Sequence, residues 1–178
     1  DGGGVSAVAA SFTMKGGSIT NNEAKAANGV GGGYFAQGKK EFMVVSMGTG
    51  TSFVGVKDGI PTHLGGIGIG GGTIIGLSKL MLNTSDIDKI QELALGGQVG
   101  HIDLRVGDIS EKPLPGLNLE VTASNFGKAS SRASCEDKAA GIVHMVIESI
   151  CQTAALISQG TNMKDFILIG ALTNFPEC

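Results

Sequence analysis

Cysteine is scarce in this sequence and shows no pairing pattern: Cys135, Cys151 and Cys178 stand far apart, with no C-x-x-C or similar spacing. That excludes a disulfide scaffold and a cysteine-built metal module, and it fits a reduced, cytoplasmic setting. An excess of positive charge is missing as well. Lys plus Arg total 13 against 16 Asp plus Glu, a net charge of −3 with no run of one sign, which makes nucleic acid and anionic membrane poor partners. No stretch reads as a signal peptide, and no uninterrupted apolar run reaches the roughly 18 residues of a membrane helix, so the expectation is a soluble chain. Glycine, by contrast, is abundant: 30 of the 178 residues, clustered rather than periodic. Clustering argues for ligand loops rather than collagen or a low-complexity linker. With 42% apolar residues the chain can build the core of one domain, or of most of one plus part of another.

The glycine concentrates between Met47 and Leu80, in two segments, Gly48-Thr49-Gly50-Thr51-Ser52 and Gly65-Gly66-Ile67-Gly68-Ile69-Gly70-Gly71-Gly72-Thr73. The first follows Phe42-Met43-Val44-Val45-Ser46-Met47, an apolar run with β-branched residues that predicts a buried strand. The second opens a predicted helix with an apolar stripe of Ile74, Ile75, Leu77, Leu80, Met81 and Leu82, and with Ser78, Lys79 and Asn83 on the other side. A glycine inside a helix costs about 1 kcal/mol relative to alanine, so three in succession at a helix start need a reason. A bound phosphate supplies one: glycine lets the ligand approach the backbone, and first-turn N–H groups with the helix dipole favour an anion. The hydroxyls of Thr49, Thr51, Ser52 and Thr73 add donors. The competing reading is a pair of tight turns joining strands. Neither segment is a Walker A loop, because no Gly-Lys-Ser or Gly-Lys-Thr closes it, and neither completes a dinucleotide fingerprint.

Elsewhere, Ile19-Thr20-Asn21-Asn22-Glu23 leads into the helix-forming Ala24-Lys25-Ala26-Ala27, where Glu23 by itself reads as a favourable dipole charge. Ser85 is expected to cap a helix running to about Leu95 and closed by Gly96-Gly97. Residues 98–118 read as a strand or turn plus a loop, and His101 with Asp103 as a satisfied surface pair rather than metal ligands. Ser124-Asn125-Phe126-Gly127 is expected to start or end a short helix. The longest predicted helix runs from Glu136 to Gln159 with Gly160 as its stop, and Phe166-Ile167-Leu168-Ile169-Gly170 predicts a buried strand whose carboxyl end is a ligand edge. Together these elements predict an α/β domain.

At four motifs the chain resembles the type II pantothenate kinases of the acetate and sugar kinase, Hsp70 and actin superfamily. These are Val45-Ser46-Met47-Gly48-Thr49-Gly50-Thr51-Ser52; the run Gly65 to Leu77; Asp103-Leu104-Arg105-Val106-Gly107-Asp108-Ile109; and Thr122-Ala123-Ser124-Asn125-Phe126-Gly127. In order and spacing they span roughly Ser18 to Leu172. The resemblance implies a ribonuclease H-like, actin-like ATPase domain with a mixed sheet and flanking helices. It also implies transfer of the γ-phosphate of ATP to pantothenate, the first step of coenzyme A synthesis, by a cytoplasmic homodimer that uses Mg²⁺. In that scheme Gly48, Thr49, Gly50, Thr51 and Ser52 hold phosphates, and Gly70, Gly71, Gly72, Thr73, Ile74 and Ile75 pack against the nucleotide. Glu23 serves as catalytic base, and Asp1 is the candidate for the metal.

Residues 1–4 then read as a remnant of an N-terminal phosphate-loop lobe and residues 5–178 as a kinase domain with an incomplete C-terminal lobe. Four positions depart from the family pattern. Val5-Ser6 follows Gly4 in place of Thr-x-Thr; Asn22 stands where the family's Glu is expected, with Glu23 one residue on; His63-Leu64 replaces an Arg next to the pantothenate; and Ala171 stands where some members carry Ser. A nucleotide-binding module without turnover and another sugar-kinase-like enzyme are the alternatives.

Overall fold

The computed structural model describes residues 39–110, 112 and 118–175. Asp1 with the segment 1–4, Val5-Ser6, Asn22, Glu23 and the helix expected after it, and Cys178, lie outside the described residues. In chain order the elements are β1 (Glu41–Met47), β2 (Thr51–Lys57), β3 (Ile60–Ile67), α1 (Gly71–Leu82), α2 (Ile87–Gly96), β4 (Leu104–Arg105), the single turn α3 (Val106–Ile109), β5 (Thr122–Ser124), α4 (Cys135–Thr161) and β6 (Phe166–Ile169). The expected α/β class with a mixed sheet and flanking helices is what forms. By their contacts the described residues divide into two compact units, residues 39–73 with 147–175 and residues 74–146.

The first unit is built on a sheet of order β3-β2-β1-β6. β1 pairs antiparallel with β2 and parallel with β6, so it is central, and its continuous apolar sequence is buried on both faces. Phe42 and Val44 pack on one face with Val54, Val56, Ile167 and Ile169. Met43, Val45 and Met47 alternate to the other face and are fully buried. β2 and β3 form a hairpin across Asp58-Gly59, both with positive φ, as a two-residue turn between right-twisted strands requires. β6 departs from the expectation of a buried strand. Ile169 is buried, but Phe166 and Leu168 are 42% and 45% exposed, because among the described strands β6 is an edge paired only with β1.

The expected stripe of α1 is also corrected. Ile74 and Ser78 are the fully buried pair, one turn apart, while Leu80 is 83% exposed. Apolar residues lie on nearly every side of this helix, so their spacing did not single out the buried face. The helix ends at Asn83, whose φ of +55° is the left-handed conformation that Asn tolerates at such a position.

In the second unit, α2 is capped by Asp86 rather than Ser85: the carboxylate accepts from the Asp88 N–H at 3.1 Å and the Lys89 N–H at 3.4 Å. α4 begins after Ser134, whose hydroxyl accepts from the Asp137 N–H at 3.0 Å. Close approach explains two glycines of this unit. A Cβ on Gly97 would lie 2.1 Å from the Glu136 carbonyl oxygen, and one on Gly141 would lie 2.5 Å from the Ile102 side chain. α4 passes straight through Gly160 and stops before Asn162, which has a φ of +59°. The left-handed residue that ends a helix need not be glycine. Contrary to the expectation of no such segment, α4 is long and apolar enough, by length and composition, to cross a membrane. Its Ala139, Ile142, Val143, Val146 and Ile150 are buried core residues.

Candidate functional site

The two glycine segments meet in the first unit. β1 ends at Met47, and the chain turns within Gly48-Thr49-Gly50 directly into β2, so Thr51 and Ser52 are strand residues and the tight-turn reading holds for this loop. Gly65, Gly66 and Ile67 finish β3, Gly68 to Gly70 connect, and α1 starts at Gly71. The start of α1 docks on the turn: the Gly71 N–H donates to the Gly48 carbonyl at 2.8 Å and the Gly72 N–H to the Thr49 carbonyl at 2.9 Å. A Cβ on Gly70 would lie 2.7 Å from the Thr49 oxygen and 2.8 Å from the Gly48 oxygen, and one on Gly72 would lie 2.9 Å from the Thr49 oxygen. These glycines are therefore accounted for by the interlocking of two backbones. The exit of β6 closes the same corner. Gly170 has a φ of +115°, and a Cβ there would lie 2.2 Å from the Met47 carbonyl oxygen.

This interlock determines which donors remain. In a trans peptide the C=O and N–H point in opposite directions. Gly48 C=O shares its peptide unit with Thr49 N–H, and Thr49 C=O with Gly50 N–H. With both carbonyls turned to α1, the N–H groups of Thr49 and Gly50 point away from it, and they donate to no group among the described residues. The hydrogen bonds from the helix start polarise these two peptide units, which strengthens the free N–H groups as donors. The Gly71 and Gly72 N–H groups, expected to face an anion, are thus spent on the carbonyls of the turn.

Of the four hydroxyls expected to face a ligand, two are spent internally. Thr51 Oγ1 donates to the Ile69 carbonyl at 2.8 Å. Thr73 Oγ1 donates to the Gly68 carbonyl at 3.3 Å and accepts from the Gly70 N–H at 3.2 Å. The hydroxyls of Thr49 and Ser52 bond to no group among the described residues. Ile74 is fully buried and Ile75 is exposed. The arrangement offers a small cradle of neutral N–H and O–H donors at the carboxyl end of a parallel strand pair, suited to oxygen atoms of an anion. Among the described residues no three His, Cys, Asp or Glu side chains gather as a metal would require.

The other two motifs of the resemblance meet in the second unit. Asp103 is fully buried, accepts from the Phe126 N–H at 2.7 Å and faces His144 Nδ1 at 2.9 Å. His101 faces Asp137 instead, at 3.2 Å. The expected His101–Asp103 surface pair is therefore two separate pairs, and the expected helix at Ser124–Gly127 is the end of β5 followed by a turn with Phe126 at a φ of +58°. Asp108 accepts from the Arg105 N–H and from Lys128 Nζ, each at 2.8 Å. The Lys128 ammonium first, then the Arg105 N–H, hold its carboxyl below the usual range, and for Asp137 the Gln98 N–H is the main cause of the same shift. Burial, and then Glu148, push the Cys151 thiol up. His144 was missed in sequence because it lies 41 residues from Asp103, and no local spacing links them.

The family model described as Fumble matches residues 31–175. A type II pantothenate kinase of Bacillus cereus (strain G9842) is 35% identical over 135 residues, 74% of this chain and 50% of the relative. That of Bacillus anthracis is 35% identical over 133 residues, 73% of this chain and 48% of the relative. Pantothenate kinase 1 of Oryza sativa subsp. japonica is 35% identical over 138 residues, 73% of this chain and 21% of the relative. The chain spans about half the length of the bacterial relatives it matches. With both glycine segments and both motifs of the second unit inside the matched residues, the chain belongs to the Fumble family of type II pantothenate kinases.

Proposed function

We propose that the protein carrying this chain transfers the γ-phosphate of ATP to the terminal hydroxyl of pantothenate, within an actin-like, ribonuclease H-like kinase fold. The observation that carries the reading is the pair of unspent N–H groups, Thr49 and Gly50, aimed outward by the docking of α1 on the Gly48–Gly50 turn. The names of the relatives supply the acceptor, pantothenate.

Phosphoryl transfer of this kind depends on positioning and charge neutralisation more than on covalent chemistry by the protein. The N–H groups of Thr49 and Gly50 with the hydroxyls of Thr49 and Ser52 would grip the β and γ phosphates. The residues of the Gly70–Ile75 segment that reach solvent, which leaves out the buried Ile74, would flank the nucleotide, with Gly70 and Gly72 holding the loops together. Glu23, outside the described residues, would take the hydroxyl proton of pantothenate. Mg²⁺, expected with ATP, finds no fitting cluster of donors among the described residues. A cytoplasmic homodimer completes the expectation.

The test is to incubate the protein with ATP, Mg²⁺ and pantothenate and follow 4′-phosphopantothenate by mass spectrometry. Product is expected, and Glu23→Gln is expected to lower turnover about 10²-fold or more with ATP affinity nearly unchanged, the usual size of a general-base effect. Asn22→Ala should matter less, since Asn takes no proton at neutral pH. ATP binding without product would leave the nucleotide-binding module standing instead.

A further inference from the structure

Thr51 is the cradle hydroxyl most removed from solvent: the residue is 4% exposed, and Oγ1 donates to the Ile69 carbonyl at 2.8 Å. β2 and β3 pair Thr51 with Ile67, so this bond reaches two residues beyond the pairing, to where the chain leaves β3 for α1. Immediately after Ile69 come Gly70, pressed on the Gly48 and Thr49 oxygens, and Gly71 and Gly72, whose N–H groups bond those same oxygens. The Ile69 carbonyl is thus the anchor of the segment that turns the Thr49 and Gly50 N–H groups outward. Thr73 secures the other end of this segment by bridging Gly68 and Gly70.

We infer that Thr51 is a positioning residue of the phosphate site: its hydroxyl clasps the second glycine loop onto the first and touches no ligand. The inference rests on the ATP reading above. The methyl group of Thr51 fills space that Val fills equally, so Thr51→Val removes the donor and keeps the shape, whereas Thr51→Ser keeps the donor.

The experiment combines ATP titration with amide hydrogen exchange on the full protein without ligand. Thr51→Val is expected to speed exchange at Gly71 and Gly72 about tenfold and to weaken ATP binding about tenfold, and Thr51→Ser to restore both. Weaker ATP binding with unchanged exchange would make Thr51 a direct phosphate ligand and overturn the inference. A lower melting temperature with wild-type ATP affinity would reduce Thr51 to a packing role and also overturn it. Should Thr51→Val not fold, the wild type decides: a slowly exchanging Thr51 hydroxyl proton, with a nuclear Overhauser contact to the Gly70 α protons, which lie on the same side of the peptide as the Ile69 oxygen, is expected, and a fast-exchanging one refutes the clasp. A wild type that binds no ATP would overturn the nucleotide reading, while the exchange comparison would still decide whether Thr51 joins the loops.

Discussion

Gly48 and Gly70 sit on opposite sides of one contact, and they respond differently to an added methyl group. At Gly70 a Cβ would lie 2.7–2.8 Å from three backbone atoms of the Gly48–Gly50 turn, none of which can move without breaking the Gly71 and Gly72 hydrogen bonds. At Gly48 the nearest atom to a Cβ is 3.9 Å away, and its φ is not in the left-handed region. Gly70→Ala is therefore expected to destabilise the fold by about 1–3 kcal/mol, the usual cost of overpacking. Gly48→Ala should melt within a degree or two of wild type yet bind ATP about tenfold more weakly, because its methyl group sits next to the Thr49 N–H. Paired thermal melts and ATP titrations read both effects. Equal stability and equal affinity for the two variants would mean that the loops neither interlock nor face the phosphate.

At the scale of elements, the termini of the helices carry the sharpest test of how local chemistry becomes structure. Asp86, not Ser85, accepts from the first-turn N–H groups of α2, so Asp86→Ala is expected to cost about 1 kcal/mol in urea unfolding and Ser85→Ala a few tenths at most. Both residues are good caps, and their adjacency made the sequence ambiguous by one position. β1, the start of α1 and most of α4 were legible because a single local signal defined each: an apolar run, a glycine cluster, a sustained 3.6-residue stripe. Asp58-Gly59 between Val54-Gly55-Val56 and Ile60 is a two-residue turn signal for the β2–β3 hairpin, but it lies between two glycine-rich segments whose ligand-loop pattern masks the strand alternation. Within the candidate site, the loops and their hydroxyls were legible as residue types. Which donors face a ligand was not, since that follows from Gly71 and Gly72 meeting Gly48 and Thr49 more than twenty positions away. The Asp103–His144 pair was hidden for the same reason.

For the whole molecule, the two units separate two kinds of electrostatics. The cradle in residues 48–52 and 65–73 has no ionisable side chain, so its donors do not titrate in the ordinary pH range. The second unit instead contains Asp108 and Asp137, both held below the usual carboxylate range, chiefly by Lys128 and by the Gln98 N–H respectively. A carboxyl whose pKa is lower in the folded than in the unfolded state adds stability above the unfolded value, about 4, and that stability is lost as pH falls through the folded value. Unfolding free energy is therefore expected to be level for these two groups from about pH 5 to 7 and to drop below about pH 4. Asp108 and Lys128 pair at the surface, with 36% and 31% of their side chains exposed, and the pair is screened, so its share should shrink in high salt. The Asp137 share, which depends on a backbone N–H, should persist. Asp137→Asn is expected to be less stable than wild type at pH 7, with the difference closing as the pH falls through the lowered folded-state value of the wild-type carboxyl. Urea unfolding at pH 7, 4 and 2 measures it. A wild-type minus Asp137→Asn difference that stays constant across that range would show that the Gln98 contact does not depend on the charge, and the acid loss of stability would then belong to other carboxylates.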